Sequence, residues 1–296
     1  FIGQEMPGDT AWAFVCKTDT LGNIKWKRTF YYPFEYAFGT PFTKPIQIVC
    51  MAGEKHIITF DSYTSDWGIN KQNIACIDSS GNVLWERNVK PELETYQCFL
   101  SITPVPENEF IISWCDPKYK TDQYPYAQRN PNATIWVARI NSDGDYLWEK
   151  SYNDYFNISD TLYMQNRAIE TDLDNNILIG LQYRSWRSKP GLMKLRSDGT
   201  VKWIRQYDIY PENQGQTEWT TIYDILPLGE DGYYMACEFV STPGNNFPNG
   251  IQTAMVIKTD KYGCLTEGCQ EGDTKDVVQT PVGKDLLLYP NPAGEK

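Results

Sequence analysis

An all-β fold is predicted, a β-propeller built from four-stranded antiparallel blades, and three observations predict it. A ten-residue pattern recurs: "KTDTLGNIKW" at 17–26, "CIDSSGNVLW" at 76–85, "RINSDGDYLW" at 139–148 and "KLRSDGTVKW" at 194–203, with an altered fifth copy, "KTDKYGCLTE", at 258–267. Aligned on Gly22, Gly81, Gly144, Gly199 and Gly263, the copies lie 59, 63, 55 and 64 residues apart, a period of the repeat-architecture kind. Each glycine is flanked on both sides by short runs rich in β-branched and aromatic residues, and no helix-period segment intervenes.

The glycine marks a hairpin. Segments such as Ser142-Asp143-Gly144 fit a type I turn closed by a residue in the left-handed region, which glycine enters at little cost. Four positions on stand Trp26, Trp85, Trp148 and Trp203, one face of the hairpin's second strand. A stacked tryptophan buries about 150 to 250 Å², worth about 4 to 6 kcal/mol as an upper bound. These residues are therefore read as structural. A ladder of tryptophans holding a ligand is the alternative.

Two more strand-like runs precede each hairpin: "PIQIVCMA" and "KHIITFDS", "QCFLSITPV" and "EFIISWC", "MQNRAIET" and "NILIGLQY", "TIYDILPL" and "YYMACEFV". Short polar turns join them. Each repeat thus reads as a four-stranded meander that cannot bury both faces alone and must stack on its neighbours. Four complete blades and one partial blade are expected, the partial one at the front where "FIGQ" is the stub of a second strand. The set forms a ring of five or an arc of a larger ring; a linear solenoid is the alternative. Phe1 is neither an initiating Met nor part of a signal segment, so the precursor's N-terminus is expected upstream.

Composition sets limits on function. The net charge of -11 opposes the phosphate neutralisation that nucleic-acid binding requires, and no apolar run is long enough to insert in a membrane. A single histidine, His56, rules out a multi-histidine metal site; it is read as a packing residue in the slot that Phe110 fills in the next repeat. Asp172, Asp174 and Asn176 imitate the start of a calcium loop but lack its glycine and terminal glutamate, and are read as a hairpin turn. No metal and no cofactor are expected. Cys16, Cys50, Cys76, Cys98, Cys115 and Cys237 are read as buried small hydrophobes. Cys264 and Cys269, five apart in the altered copy where Glu267 takes the tryptophan slot, are expected to close a disulfide in an oxidising setting; free thiols or a metal site are the alternatives.

Topology gives the functional expectation. In such a blade the connections between strands two and three and between blades emerge at the end opposite the glycine turns. Here they are aromatic: "FYYPFEYAFGTPF", "DSYTSDWG", "DPKYKTDQYPYAQ", "SYNDYFN", "YRSWRS" and "DIYPENQGQTEW". Rings interspersed with carboxylates and amides suit a carbohydrate or a protein surface, with Tyr63, Trp67, Tyr124, Tyr126, Trp186 and Trp219 as binding candidates. No catalytic residue is assigned. A glycosidase using Asp61, Asp116 and Glu238 near the ends of second strands is one alternative, and a purely structural propeller the other.

Residues 1–270 form the repeat domain and 271–284 an acidic linker. The segment "LLLYPNPA" at 286–293, with Tyr289, Pro290, Asn291 and Pro292, resembles the opening of the C-terminal sorting domain of the type IX secretion system of Bacteroidota. "DKYGCLTEGCQ" at 260–270 is similar to the end of the repeat region in secreted proteins of that group. The resemblance implies a truncated sorting domain at 285–296, the type IX machinery as partner, and a secreted or outer-membrane-associated location. It carries over no catalytic residue. A monomer is expected.

Overall fold

A computed structural model describes residues 1–6, 10–32, 41–64, 70–89, 100–116, 134–152, 163–184, 187–207, 209, 218–241, 251–265 and 279–280. It is all-β and repeats one antiparallel meander. The first sheet holds β1 (Ile2–Glu5), β2 (Trp12–Thr18) and β3 (Ile24–Phe30). The second is β4 (Pro41–Cys50), β5 (His56–Thr64), β6 (Asn70–Ile77) and β7 (Val83–Asn88), and the third is β8 (Ser101–Val105), β9 (Glu109–Asp116), β10 (Thr134–Ile140) and β11 (Tyr146–Ser151), each in sequential order. The fourth meander is β12 (Tyr163–Thr171), β13 (Ile177–Arg184), β14 (Arg187–Leu195) and β15 (Val201–Tyr207); the fifth is β16 (Glu218–Pro227), β17 (Tyr233–Ser241) and β18 (Ile251–Thr259). Arg187 and Ser188 of β14 bridge to β16, and a two-residue β19 (Gln279–Thr280) pairs in parallel with the end of β15. No helix among the described residues is long and apolar enough to cross a membrane.

The chain divides into two compact units: residues 1–119 with 136–150, and residues 120–135 with 151–296. In the first unit, strand alternation sends neighbouring side chains of one sheet into two different cores. Ile58 and Phe60 of β5, with Ala75 and Ile77 of β6, pack on Ala13, Val15 and Phe30 of the first sheet. Ile57, Ile74 and Cys76 face the other way, onto Leu100, Ile102, Phe110 and Ile112 of the third sheet. The second sheet is thus covered on both faces, as the unsupported meander demanded. In the second unit Ala168, Leu178 and Leu192 of the fourth sheet meet Ile222, Met235, Cys237 and Ile257 of the fifth.

The repeated decapeptide makes the joint between successive sheets. Gly81 has φ +83° and lies against the indole of Trp26, so that a Cβ there would stand 2.8 Å from Cδ2. Trp26 also donates its Nε1–H to the Ser79 carbonyl at 2.9 Å. One sheet later Trp85 donates to the Ser142 carbonyl at 2.9 Å, while Arg87 packs on Gly144 and bonds the Asp143 carbonyl and Asp145. In the second unit Trp203 lies against Gly263, and Tyr207 Oη donates to the Gly263 carbonyl at 3.1 Å. Glycine, tryptophan and the basic residue recur together because Trp26 and Trp203 sit on the glycine of the following turn and Arg87 takes that place at Gly144. The aspartate holds the turn: Asp19, Asp78 and Asp260 accept from the backbone N–H groups two and four residues on, and Asn141 does the same.

Candidate functional site

Strand order puts the glycine turns and the β4–β5, β8–β9, β12–β13 and β16–β17 turns at one end of each sheet, and the connections rich in Tyr and Trp at the other. Of the six aromatic candidates, Tyr63 lies in β5 opposite Phe42 and Asn70, and Trp219 is half-buried in β16 opposite Val240. Trp67, Tyr124, Tyr126 and Trp186 lie outside the described residues, as do Cys269 and the Tyr289-Pro290-Asn291-Pro292 segment.

The strand ends share a register that the sequence conceals. The first two strands of each meander are joined by the same three-residue turn, at 52–54, 106–108, 173–175 and 229–231, closed by backbone bonds such as Met51 N–H to Lys55 O and Leu228 N–H to Gly232 O. His56, Phe110, Ile177 and Tyr233 are therefore equivalent, which agrees with the packing slot expected for His56. Five residues on stand Asp61, Cys115, Gln182 and Glu238. Asp116 falls one place further along its strand, so it is not the counterpart of Asp61 and Glu238.

At this level the sheets change from apolar to polar while staying buried. Asp61, Gln72 and Asn73 are at most 6% exposed. Next to them, Asn73 Nδ2 donates to Ser62 Oγ at 3.3 Å, Ser62 Oγ lies 3.4 Å from Thr43 Oγ1, and Thr43 Oγ1 accepts the Tyr32 N–H at 3.2 Å. In the third sheet Ser101, Thr103 and Ser113 are buried, and Trp114 stacks on Trp136 at 6.1 Å and 8°. In the second unit Asn166, Gln182, Thr220, Thr221 and Ser241 are buried. Gln182 is 2% exposed, and neither Nε2 nor Oε1 has a hydrogen-bond partner among the described residues, a costly arrangement for a buried amide.

Glu238 differs from Asp61. It lies on the exposed face of the fifth sheet, where Tyr223 Oη donates to Oε2 at 2.9 Å and Gln252 Nε2 donates to Oε1. The Arg167 guanidinium lies 5.4 Å from the centre of the Tyr223 ring. Burial raises the Tyr223 phenol pKa, and the bond to Glu238 raises it further. Asp61 belongs to the first unit and Glu238 to the second, so neither unit alone pairs the two carboxylates.

Two other expectations, for the Asp172 segment and for the cysteines, meet the structure at the sheet ends. Asp172 Oδ1 accepts the N–H groups of Asp174 and Asn176 at 3.0 and 2.8 Å, so this segment is a hairpin turn. No metal-competent cluster of His, Cys, Asp or Glu occurs among the described residues. Cys16, Cys76 and Cys237 are buried free thiols and Cys115 is buried, but Cys50 is free and exposed, because it ends β4 at the edge of the sheet. Burial pushes the Cys237 thiol up to about 12 and Cys76 up to about 11. Cys264 is buried and is not one of the free thiols.

One cluster had no signal in the sequence. Lys194 Nζ, in the apolar run "GLMKL", lies 2.6 Å from Asp172 Oδ2 and donates to Tyr233 Oη at 2.7 Å, joining the fourth and fifth sheets. Burial works against both charges. Hydrogen bonds from Lys194 and Asn176 nonetheless hold the Asp172 carboxyl below the usual range, and those to Asp172 and Tyr233 hold the Lys194 ammonium above its own.

No family model matches the chain, and no curated protein matches it. Solved structures similar to it include a Bacteroides caccae protein of unknown function (11% identity, 92% of this chain and 86% of that one, TM-score 0.43). An exo-β-1,3-galactanase from Phanerochaete chrysosporium matches at 11% identity over 87% of this chain and 60% of its own, with TM-score 0.44. A β-1,2-mannobiose phosphorylase from Listeria innocua matches at 13% identity over 84% and 67%, with TM-score 0.43. Likeness at this level carries no argument about activity.

Proposed function

We propose that this chain is an exported, non-enzymatic propeller-type binding module whose loop-bearing end recognises carbohydrate. The observation that carries the reading is a division of labour along each sheet. At the turn end Trp26, Trp85, Trp203 and Arg87 are engaged in holding one sheet to the next, while the turn carboxylates clamp their own hairpins. At the loop end, buried polar side chains, among them the unpartnered Gln182 amide, underlie connections rich in Tyr, Trp, Asp and Asn. Ring faces stack on apolar sugar faces while amides and carboxylates bond hydroxyls.

The test is a glycan array and cell-wall pull-down with the full chain, beside Trp67→Ala, Trp186→Ala and Trp219→Ala. Binding weakened at least tenfold by these changes supports the reading. Binding that ignores all three, or none at all, ends it in favour of a structural protein. A shortened glycan product whose formation is lost in Asp61→Asn or Glu238→Gln shows a hydrolase instead.

Export through the type IX system, to the cell surface or beyond, is part of the same proposal and rests on the resemblance of residues 286–293. Loss of surface delivery when Tyr289, Pro290, Asn291 and Pro292 are replaced by alanine in the native gene tests it. A Cys264–Cys269 disulfide suits that route, and the non-reduced peptide mass decides it.

A further inference from the structure

We infer that the joint between the fourth and fifth sheets holds a subsite for one edge of a neutral sugar, with the Gln182 side-chain amide as its floor and a pair of neighbouring hydroxyls as the group it takes. The inference rests on the carbohydrate reading of the loop end and adds to it the place where those hydroxyls are held.

Alternation places the amide. Gln182 shares a face of β13 with Leu178 and Gly180. Leu178 packs into the core formed with the fifth sheet, and a Cβ on Gly180 would stand 2.9 Å from Ile222 Cγ2. Gln182 is therefore aimed at the fifth sheet, two residues nearer the loop end than that close contact. The strip it faces carries the buried Thr220, on the Ile222 side of β16, and opposite Thr220 the ring of Phe239, which packs on the same core. Pro190, directly across from Gln182 on β14, is buried. Further out, Arg187 and Ser188 pair with Glu218 and Trp219, so backbone spans the joint at its loop end.

The chemistry follows from what the amide lacks. At 2% exposure, its Nε2 and Oε1 have no hydrogen-bond partner among the described residues, a cost that a leucine of similar size would not incur. Nε2 donates and Oε1 accepts side by side, and two adjacent hydroxyls answer both, one accepting and one donating. A hydroxyl plays either part, so the match holds whichever way round the amide lies. An amide has no charge to offset a buried carboxylate or phosphate, which selects a neutral polyol. Phe239 offers a ring to the sugar's C–H face.

The same place is polar in the other unit. Asp61 stands five residues after His56 as Gln182 stands five after Ile177, shares its face with Ile57, which packs on the third sheet, and is 6% exposed. A joint made only to hold two sheets together has no use for a buried polar side chain at this level.

The experiment compares the full chain with Gln182→Leu. The probes are the methyl pyranosides of glucose, galactose and mannose with their monodeoxy forms. In protein carrying ¹⁵N-labelled glutamine, the Gln182 side-chain amide signal, assigned by its loss in the variant, is expected to shift saturably with at least one of the three sugars. Removing one hydroxyl of the bound pair should weaken that sugar about tenfold, as should Gln182→Leu, and the two losses should not add. Without sugar, the thermal midpoint of Gln182→Leu should equal or exceed that of the wild type. A midpoint lowered by several degrees, or a variant that does not fold, makes Gln182 a structural residue and overturns the subsite. An amide signal that no sugar moves, or additive losses, overturns it as well; if the glycan array still shows tryptophan-dependent binding, the carbohydrate reading stands without this subsite. Silence in both experiments ends both.

Discussion

Replacing Gly81 with alanine probes the joint between sheets at one atom. Two costs add. The backbone at φ +83° is left-handed, which costs a residue with a Cβ about 1 to 2 kcal/mol. The new Cβ meets Trp26 at 2.8 Å, and the indole has little room to retreat because Nε1 is tied to the Ser79 carbonyl; overpacking of this kind costs about 1 to 3 kcal/mol. Gly81→Ala is therefore expected to lose about 2 to 5 kcal/mol, against about 1 to 2 kcal/mol for Gly22→Ala, which bears the same strain without the clash. In a Trp26→Ala background the clash disappears, and Gly81→Ala falls to the strain cost alone. The cycle then yields a coupling of about 1 to 3 kcal/mol between residues 55 apart in sequence. Urea denaturation followed by far-UV circular dichroism measures all four proteins. Additive losses, with Gly81→Ala no worse than Gly22→Ala, would refute the reasoning.

Lys194→Met leaves Asp172 buried without its cation and should cost about 3 to 5 kcal/mol at neutral pH. Because the folded Asp172 carboxyl is held low, the pair's contribution is complete above the unfolded value of about 3.9 and is lost as pH falls through the lower folded value. The raised Lys194 keeps its contribution below about 10.4 and loses it as pH climbs past its folded value. The stability gap between wild type and Lys194→Met should thus shrink in acid; a gap unchanged between pH 7 and pH 2.5 contradicts the buried pair. At the second glycine turn, Asp78→Asn should unfold with the wild type, since Asn141 already makes the same two backbone contacts one repeat later, whereas Asp78→Ala should lower the thermal midpoint. Equal midpoints for the two variants would remove the side-chain clamp from the account.

The periodic part of this chain was open to reading because its physics is local. A left-handed turn demands glycine, the following strand alternates, and the tryptophan recurs at a fixed offset, so strands, hairpins and the structural role of Trp26, Trp85 and Trp203 follow from spacing. Register along the second strands was harder. "GE", "PEN", "DLDN" and "GEDG" look like turns of different length, yet all four are the same three-residue loop, and only that equivalence moves Cys115 rather than Asp116 into line with Asp61 and Glu238. Lys194 was hidden for another reason. Its partners lie 22 and 39 residues away, and a lysine in an apolar strand gives no sign of which carboxylate will meet it. Cys50 looked buried by its neighbours, but its place at the end of β4 decides its exposure. Tyr63 and Trp219 stand in β5 and β16, but the other aromatic candidates belong to stretches of sequence whose lengths vary from repeat to repeat, so no period constrains them.

Exchange of the indole N–H protons with solvent, followed by NMR on protein carrying ¹⁵N-labelled tryptophan, asks most directly whether successive sheets are pinned by tryptophan on glycine turn. Trp26 and Trp85, each bonded to a carbonyl of the next sheet at 2.9 Å, should exchange orders of magnitude more slowly than an indole in a short peptide, and both should become fast only when the sheets separate. Exchange of these two indoles at the peptide rate under native conditions would mean that the repeat does not join the sheets.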